Sequence, residues 1–269
     1  MGRRDSRTCG GLVLACLTAA IPLGVEAQSI AARVGAAPDG DVRISFAARP
    51  GICGDGHSMI RNDHRTMWIS RREFSVDDDH GDPCPCQAGP VRVTLSVRAH
   101  QVTEVRTAVG GDSAPGRATT DLGPVSTANA VRYLLDLAEF NRETGSEAVF
   151  PVVLADSVTV WPDLLRLARK PGLASETRNQ AIFWLGQAAG TAATRGLDSL
   201  ATDPKGDREI RQAAVFALSQ RPQSEGVPIL IRLARTDRDP QIRRDALFWL
   251  GQSNDPRALD LFEELLVRR

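Results

Sequence analysis

Three stretches decide the fold: Glu176-Thr-Arg-Asn-Gln-Ala-Ile-Phe-Trp-Leu-Gly-Gln187, Glu209-Ile-Arg-Gln-Ala-Ala-Val-Phe-Ala-Leu-Ser-Gln220 and Gln241-Ile-Arg-Arg-Asp-Ala-Leu-Phe-Trp-Leu-Gly-Gln252. They begin 33 and 32 residues apart. Each reads as an amphipathic helix. With Ala181 at zero and about 100° per residue, Leu185 falls at about 40°, Ile182 at about 100° and Trp184 at about 300°, on the core side. An amphipathic segment precedes each of the three: Trp161 to Arg169, Thr191 to Ala201, and Val227 to Arg235. Trp161-Pro-Asp-Leu-Leu-Arg-Leu-Ala-Arg169 and Val227-Pro-Ile-Leu-Ile-Arg-Leu-Ala-Arg235 are nearly one helix written twice. Self-similarity at this period predicts a solenoid, because one helix pair cannot bury its own apolar face and neighbours must stack.

The residues Arg178, Ala181, Leu185 and Gly186, then Arg211, Ala214, Leu218 and Ser219, then Arg243, Ala246, Leu250 and Gly251 make the repeats similar to bacterial HEAT-like repeats. This is the short type also found in phycobilin-lyase-like proteins. The resemblance covers about half the chain. It implies an α-solenoid that binds other macromolecules, and it does not carry lyase chemistry over. Residues 126–157 read as a divergent first pair and 255–268 as a final capping helix. Alanines at 181, 214 and 246 suit close helix approach, and Gly186 and Gly251 suit left-handed geometry near helix ends. Asp239-Pro240 and Asp255-Pro256 read as helix starts.

Phe183, Gln187 and Glu176 fall at about 200°, 240° and 220° on the same wheel, opposite the core. Phe216 and Phe248 share the Phe183 register, and Gln220 and Gln252 share that of Gln187. In a solenoid this face lines the concave side, where a Phe/Gln stripe suits a protein partner. The competing reading tucks each Phe against the adjacent repeat. Arg178, Arg211 and Arg243 read either as sites for an anionic partner or as a structural ladder with acids such as Asp203 and Asp237.

Upstream, the pattern has period two. Val42, Ile44 and Phe46 alternate with Arg43 and Ser45, and Val91, Val93, Leu95 and Val97 alternate with Arg92, Thr94, Ser96 and Arg98. With the run Val102 to Val109 after a turn near His100, 91–109 predicts a β-hairpin. Thr66 to Phe74 reads as a further strand. Residues 28–109 therefore read as a small antiparallel β-domain opening on a mobile leader, 110–125 as a Gly/Ser/Pro-rich linker, and 126–269 as the solenoid. The expected fold class is α+β.

Residues 1–27 read as a secretory signal peptide: Arg3, Arg4 and Arg7, an apolar run from Leu12 to Leu23, and Val25-Glu26-Ala27 before cleavage. The competing readings are a retained membrane anchor and a lipid anchor at Cys16. Export predicts a periplasmic or extracellular protein with no membrane span after cleavage. Of the five cysteines, Cys53, Cys84 and Cys86 then remain, and oxidation favours a disulfide from Cys53 to Cys84 or Cys86. The alternative is a metal-dependent or thiol enzyme centred on this region, with Asp77-Asp78-Asp79-His80, His57 and His64 nearby. Cys-x-Cys departs from the paired Cys-x2-Cys spacing of zinc sites, so no metal is assigned. Cys53-Gly54-Asp55-Gly56-His57 reads as a turn rather than a thiol–base pair.

The 33 basic residues, all but Lys170 and Lys205 arginine, are matched by 33 acids, giving a net charge of +0. That excludes a net field drawing nucleic acid or anionic lipid. No Gly-x-Ser-x-Gly, His-Glu-x-x-His or phosphate-binding loop occurs, and no cofactor is predicted. The sequence thus predicts a non-catalytic protein-binding or scaffold protein of the cell envelope, contacting its partner through Phe183, Phe216, Phe248, Gln187, Gln220 and Gln252.

Overall fold

A computed structural model describes residues 29–57, 59–62, 65–69, 74–78, 86–111, 119–188 and 190–267. The expected signal peptide lies outside these residues. A short helix, α1 (Ile30–Gly35), stands where a mobile leader was expected. Ser29 caps it by accepting from the Ala32 N–H, and Ile30 and Val34 are buried. Two apolar residues at i and i+4 are too short a signal to announce a helix.

The strands form two sheets. In the first, β1 (Gly40–Phe46) pairs antiparallel with β7 (Val91–Arg98), which pairs antiparallel with β8 (Gln101–Val109). The 91–109 hairpin is as expected, with Ala99 and His100 at positive φ in its turn. A fourth strand, β9 (Thr119–Pro124), lies parallel to β1 at the sheet edge. It occupies part of the segment read as a linker. Its pairing partner is about 78 residues away in sequence, so local composition carries no sign of it. The Arg43–Asp121 ion pair, 2.5 Å, clamps it.

The second sheet has the order β5-β4-β3-β2-β6, built from β2 (Ile52–Gly54), β3 (Met59–Asn62), β4 (Arg65–Ile69), β5 (Phe74–Asp78) and β6 (Gln87–Ala88). The single strand expected over Thr66 to Phe74 is two, β4 and the start of β5. Gly110, at φ +64°, closes the junction between the sheets: a Cβ there would run into the Gln87 carbonyl oxygen.

Among the described residues nine further helices follow: α2 (Thr127–Phe140), α3 (Gly145–Val153), α4 (Trp161–Arg169), α5 (Ser175–Gln187), α6 (Thr191–Ala201), α7 (Arg208–Ser219), α8 (Gln223–Thr236), α9 (Pro240–Gly251) and α10 (Pro256–Val267). They pair as α2/α3, α4/α5, α6/α7 and α8/α9. The second helices α3, α5, α7 and α9 stack in series, and so do α4, α6, α8 and α10. Ala181, Ala214 and Ala246 are fully buried between helices. Asp239 accepts from the Gln241 N–H and Asp255 from the Arg257 N–H, as Asp-Pro starts should. Gly186 is not left-handed; its added Cβ would lie 3.1 Å from the Ala217 Cβ, so it permits α5 and α7 to approach. Gly226 does the same for α8 and α7, where a Cβ would collide with the Leu218 carbonyl.

The β region and the helices share one apolar core. Val42, Ile44, Val93 and Leu95 from the sheet are buried in the same cluster as Leu134, Val149 and Leu154. The β8 edge is satisfied by the helices: Asn141 Nδ2 donates to the Val102 carbonyl and the Val105 N–H donates to Glu147, both at 2.8 Å. Backbone bonds from Arg49 N–H to Leu154 O and from Asp156 N–H to Ala47 O stitch the junction. The two parts are therefore one packed body over this interface, and an unpaired sheet edge is avoided.

Candidate functional site

The second-helix row α3–α5–α7–α9 carries the predicted stripe. Phe183 and Phe216 sit beside the buried Trp184 and Ala217, and Phe248 beside the half-buried Trp249. Phe183 is half-buried and meets Trp184 edge-on, with ring centres 5.0 Å apart. Trp184 is itself buried and packs on Phe150 of the preceding pair at 4.9 Å. Phe216 is half-buried and reaches forward to Trp249 at 4.9 Å. Phe248 meets Trp249 edge-on and remains 59% exposed. Gln187 is half-buried, whereas Gln220 and Gln252 are exposed. Two aromatic triplets thus lie along the row, and between them Ala217 stands in the Trp register. The stripe presents two half-buried rings and one exposed ring, with an amide four residues on from each.

This packing separates the phenylalanines. Phe216→Ser removes a ring lodged on the next repeat and should lower stability by about 2 kcal/mol. Phe248→Ser should change it by less than about 0.5 kcal/mol. Urea unfolding of the two variants checks this, and equal losses would place Phe248 in the core.

Two of the recurring arginines, Arg178 and Arg211, form rungs between repeats, whereas the bonds of Arg243 stay within its own helix pair. Arg178 Nε donates to the Ala168 carbonyl at 2.9 Å, and its guanidinium pairs with Asp207 at 2.5 Å. Arg211 repeats this on the Ala201 carbonyl at 2.8 Å and on Asp237 at 2.6 Å. Asp237 is the acid expected; the Arg178 rung uses Asp207, and Asp203 accepts from the Lys205 N–H in its own turn. Arg243 donates to the carbonyls of Asp237 and Arg238. A groove of about 700 Å³ opens beside Arg208, Arg211, Arg232 and Arg238. Arg208 there pairs with Asp239, Arg211 with Asp237 and Arg232 with Asp198, so it is no concentrated anion site.

The first-helix row has its own ion pairs, which sequence reading missed. Glu139 of α2 receives both Arg166 of α4 and Lys170 just after it, Asp198 of α6 receives Arg232 of α8, and Glu264 of α10 receives Arg235 of α8. The signal was available: Arg166 and Arg169 recur as Arg232 and Arg235. Hydrogen bonds from Lys170 and then Arg166 hold the Glu139 carboxyl below its usual range. Asp239 is lowered by the Gln241 N–H and Arg208, and Asp255 by Arg257. A carboxyl depressed in the folded state stabilises it above the unfolded pKa, and that contribution falls as pH drops through the folded value. The Tm should therefore decline below about pH 4.5 as these pairs are protonated. A thermal melt series that stayed level to about pH 3 would contradict the pairing.

The strongest unforeseen residue is Arg221, buried at 8% exposure between α6/α7 and α8. Its Nε donates to Thr194 Oγ1 at 2.8 Å, and its terminal nitrogens donate to the carbonyls of Gly186, Ala188 and Gly190 and to Glu225. The acceptors at 186 and 188 are carbonyls at the α5 C-terminus, which a helix leaves without internal partners. Nothing in the repeat pattern marks Arg221.

In the β region, Cys53 is bonded to Cys86, with Cα atoms 5.3 Å apart. Cys84 lies outside the described residues, as do His64, Asp79 and His80. Asp77 and Asp78 are on β5. Asp55 Oδ1 accepts from the N–H groups of His57 and Met59, so Gly54-Asp55-Gly56 is the turn expected. A disulfide-bonded Cys53 offers no thiolate. Among the described residues, no group of three or more His, Cys, Asp and Glu is placed to hold a metal, and no helix is long and apolar enough to cross a membrane.

A family model described as HEAT repeats matches residues 161–246 and 198–269. The matched span runs from α4 through α10. No curated protein matches the chain. Stacked helix pairs, the inter-repeat arginine rungs and this match agree: residues 161–269 carry HEAT repeats, and an N-terminal β region is joined to them.

Proposed function

We propose that this is an exported, non-catalytic protein-binding or scaffold protein of the cell envelope, and that its partner lies along the second-helix row. HEAT repeats suggest a binding or scaffold role in general terms. The observation that carries the finer reading is the register of Phe183, Phe216 and Phe248 with Gln187, Gln220 and Gln252 on successive stacked helices. Aromatic residues repeated with amides on successive helices favour an extended protein surface over a small-molecule pocket. The bonded Cys53 and the basic, apolar, small-residue order of residues 1–27 support an oxidising destination.

A photo-crosslinking residue placed at Gln220 in the full chain tests the surface, with one at Arg195 on the first-helix row as the control. The expected result is a discrete adduct from Gln220 and none from Arg195. Identical adducts from both, or none from either, would sink the reading. Intact mass of the protein recovered from the envelope fraction tests export, with a chain starting at Gln28 expected.

A further inference from the structure

The whole chain carries a net charge of +0, but its charges are not evenly spread. On the first-helix row, Arg166, Arg169 and Lys170 stand at the C-terminal end of α4, Arg195 on α6, and Arg232 and Arg235 on α8. Asp198 and Glu264 neutralise Arg232 and Arg235. Glu139 serves Arg166 and Lys170, with Asp163 3.6 Å from Arg166. Among the described residues, Arg169 and Arg195 are left with hydroxyls as partners. Arg169 donates to Ser199 Oγ at 2.6 Å and Arg195 to Thr191 Oγ1 at 3.5 Å. Ser199 follows Arg195 by one turn of α6, so both guanidiniums lie along one side of that helix. A groove of about 520 Å³ opens beside Arg169, with Pro162 and Leu165 among its lining residues. Lys170, which also lines it, holds its Nζ 5.0 Å from the ring centre of Phe140, and that ring is 75% exposed.

We propose that this face of α4 and α6 rests on an anionic bilayer surface. Guanidiniums accompanied by hydroxyl donors and no carboxylate suit the phosphate oxygens of lipid headgroups. A bare ring bordered by an ammonium suits the boundary beneath those headgroups, where aromatic and cationic side chains settle together. An acidic protein segment would satisfy the arginines alone; the exposed Phe140 beside them favours lipid. Two acid-free arginines and one ring make the attachment weak and reversible, and salt screens it. The proposal does not rest on the Phe/Gln reading, because those residues lie on the second-helix row. A lipid captured at Arg195 adds only a lipid's mass, distinct from the protein adduct expected at Gln220.

Flotation of the purified chain starting at Gln28 with lipid vesicles tests it, since that chain lacks the apolar run of residues 12–23. Vesicles of phosphatidylglycerol and phosphatidylcholine in equal parts should carry the protein at low salt. Phosphatidylcholine alone should not, and about 0.5 M salt should release it. Arg169→Glu with Arg195→Glu should weaken binding at least about tenfold with the Tm held. Phe140→Ser should weaken it by about threefold or more. Lys205→Glu with Arg238→Glu makes the same change in net charge at exposed positions in the α6–α7 and α8–α9 turns, and should weaken it far less. No flotation at low salt, equal flotation with phosphatidylcholine alone, or equal loss in the two double variants would each overturn the proposal. So would Phe140→Ser floating as well as the unaltered chain. Retention on polyglutamate without flotation would give the face to an acidic protein instead, and would overturn it too.

Discussion

Arg221→Ala lowers the unfolding free energy by about 3–5 kcal/mol, the cost of stranding the partners of a buried charge. Truncation leaves the carbonyls of Gly186, Ala188 and Gly190 and the hydroxyl of Thr194 without the guanidinium that joins them. It also leaves the Glu225 carboxylate, 23% exposed in its side chain, without its cation. Hydrogen bonds from Thr194 and then Arg221 hold that carboxyl below its usual range. For a body of this size the loss corresponds to a Tm fall of about 10 °C. Arg221→Lys should recover only part of it, because one ammonium cannot span acceptors that a planar fork reaches together. Calorimetry on the three proteins makes the comparison. A loss below about 1 kcal/mol would place the guanidinium in solvent rather than among these carbonyls.

Removing the Cys53–Cys86 bond is expected to cost about 3–4 kcal/mol, by the loop-entropy argument for a bridge spanning 33 residues. The bond ties β2 to the residue preceding β6, and β6 is a two-residue strand that holds on to β2 through only Cys53–Ala88 and Gly54–Gln87 pairing. So short a strand has little burial of its own. Cys53→Ser with Cys86→Ser should shift the urea midpoint down, and a reductant should shift the unaltered protein by the same amount. The unfolded, unreduced chain lacking residues 1–27 should show one reactive thiol, that of Cys84. Three reactive thiols, or a midpoint indifferent to reductant, would remove the bond from the account.

Together, these residues show where reading the chain succeeds. Helix pairs 33 and 32 residues apart announce themselves because their apolar spacing is local, and α4, α6 and α8 cover the segments the periodicity marks. The core alanines, the Asp-Pro starts and the Arg211–Asp237 rung follow from the same repetition. The candidate stripe was legible as a register, but not in its burial. The wheel places Phe183, Phe216 and Phe248 identically, whereas the structure half-buries the first two and exposes the third.

Periodicity by itself determined the class of the fold: a strand-bearing N-terminal region and a stack of helix pairs. Only the tertiary structure decided that β9 returns parallel to β1 and that a second sheet of five strands exists. It also decided that Cys86 rather than Cys84 meets Cys53, and that Asn141, Glu147 and Arg221 complete backbone groups far away in sequence. The physical reason is common to all of them. Spacing along a chain encodes which face of a helix or strand is apolar. A backbone carbonyl or N–H is present at nearly every residue, and which one lies open at a helix end or sheet edge is settled only when distant segments meet.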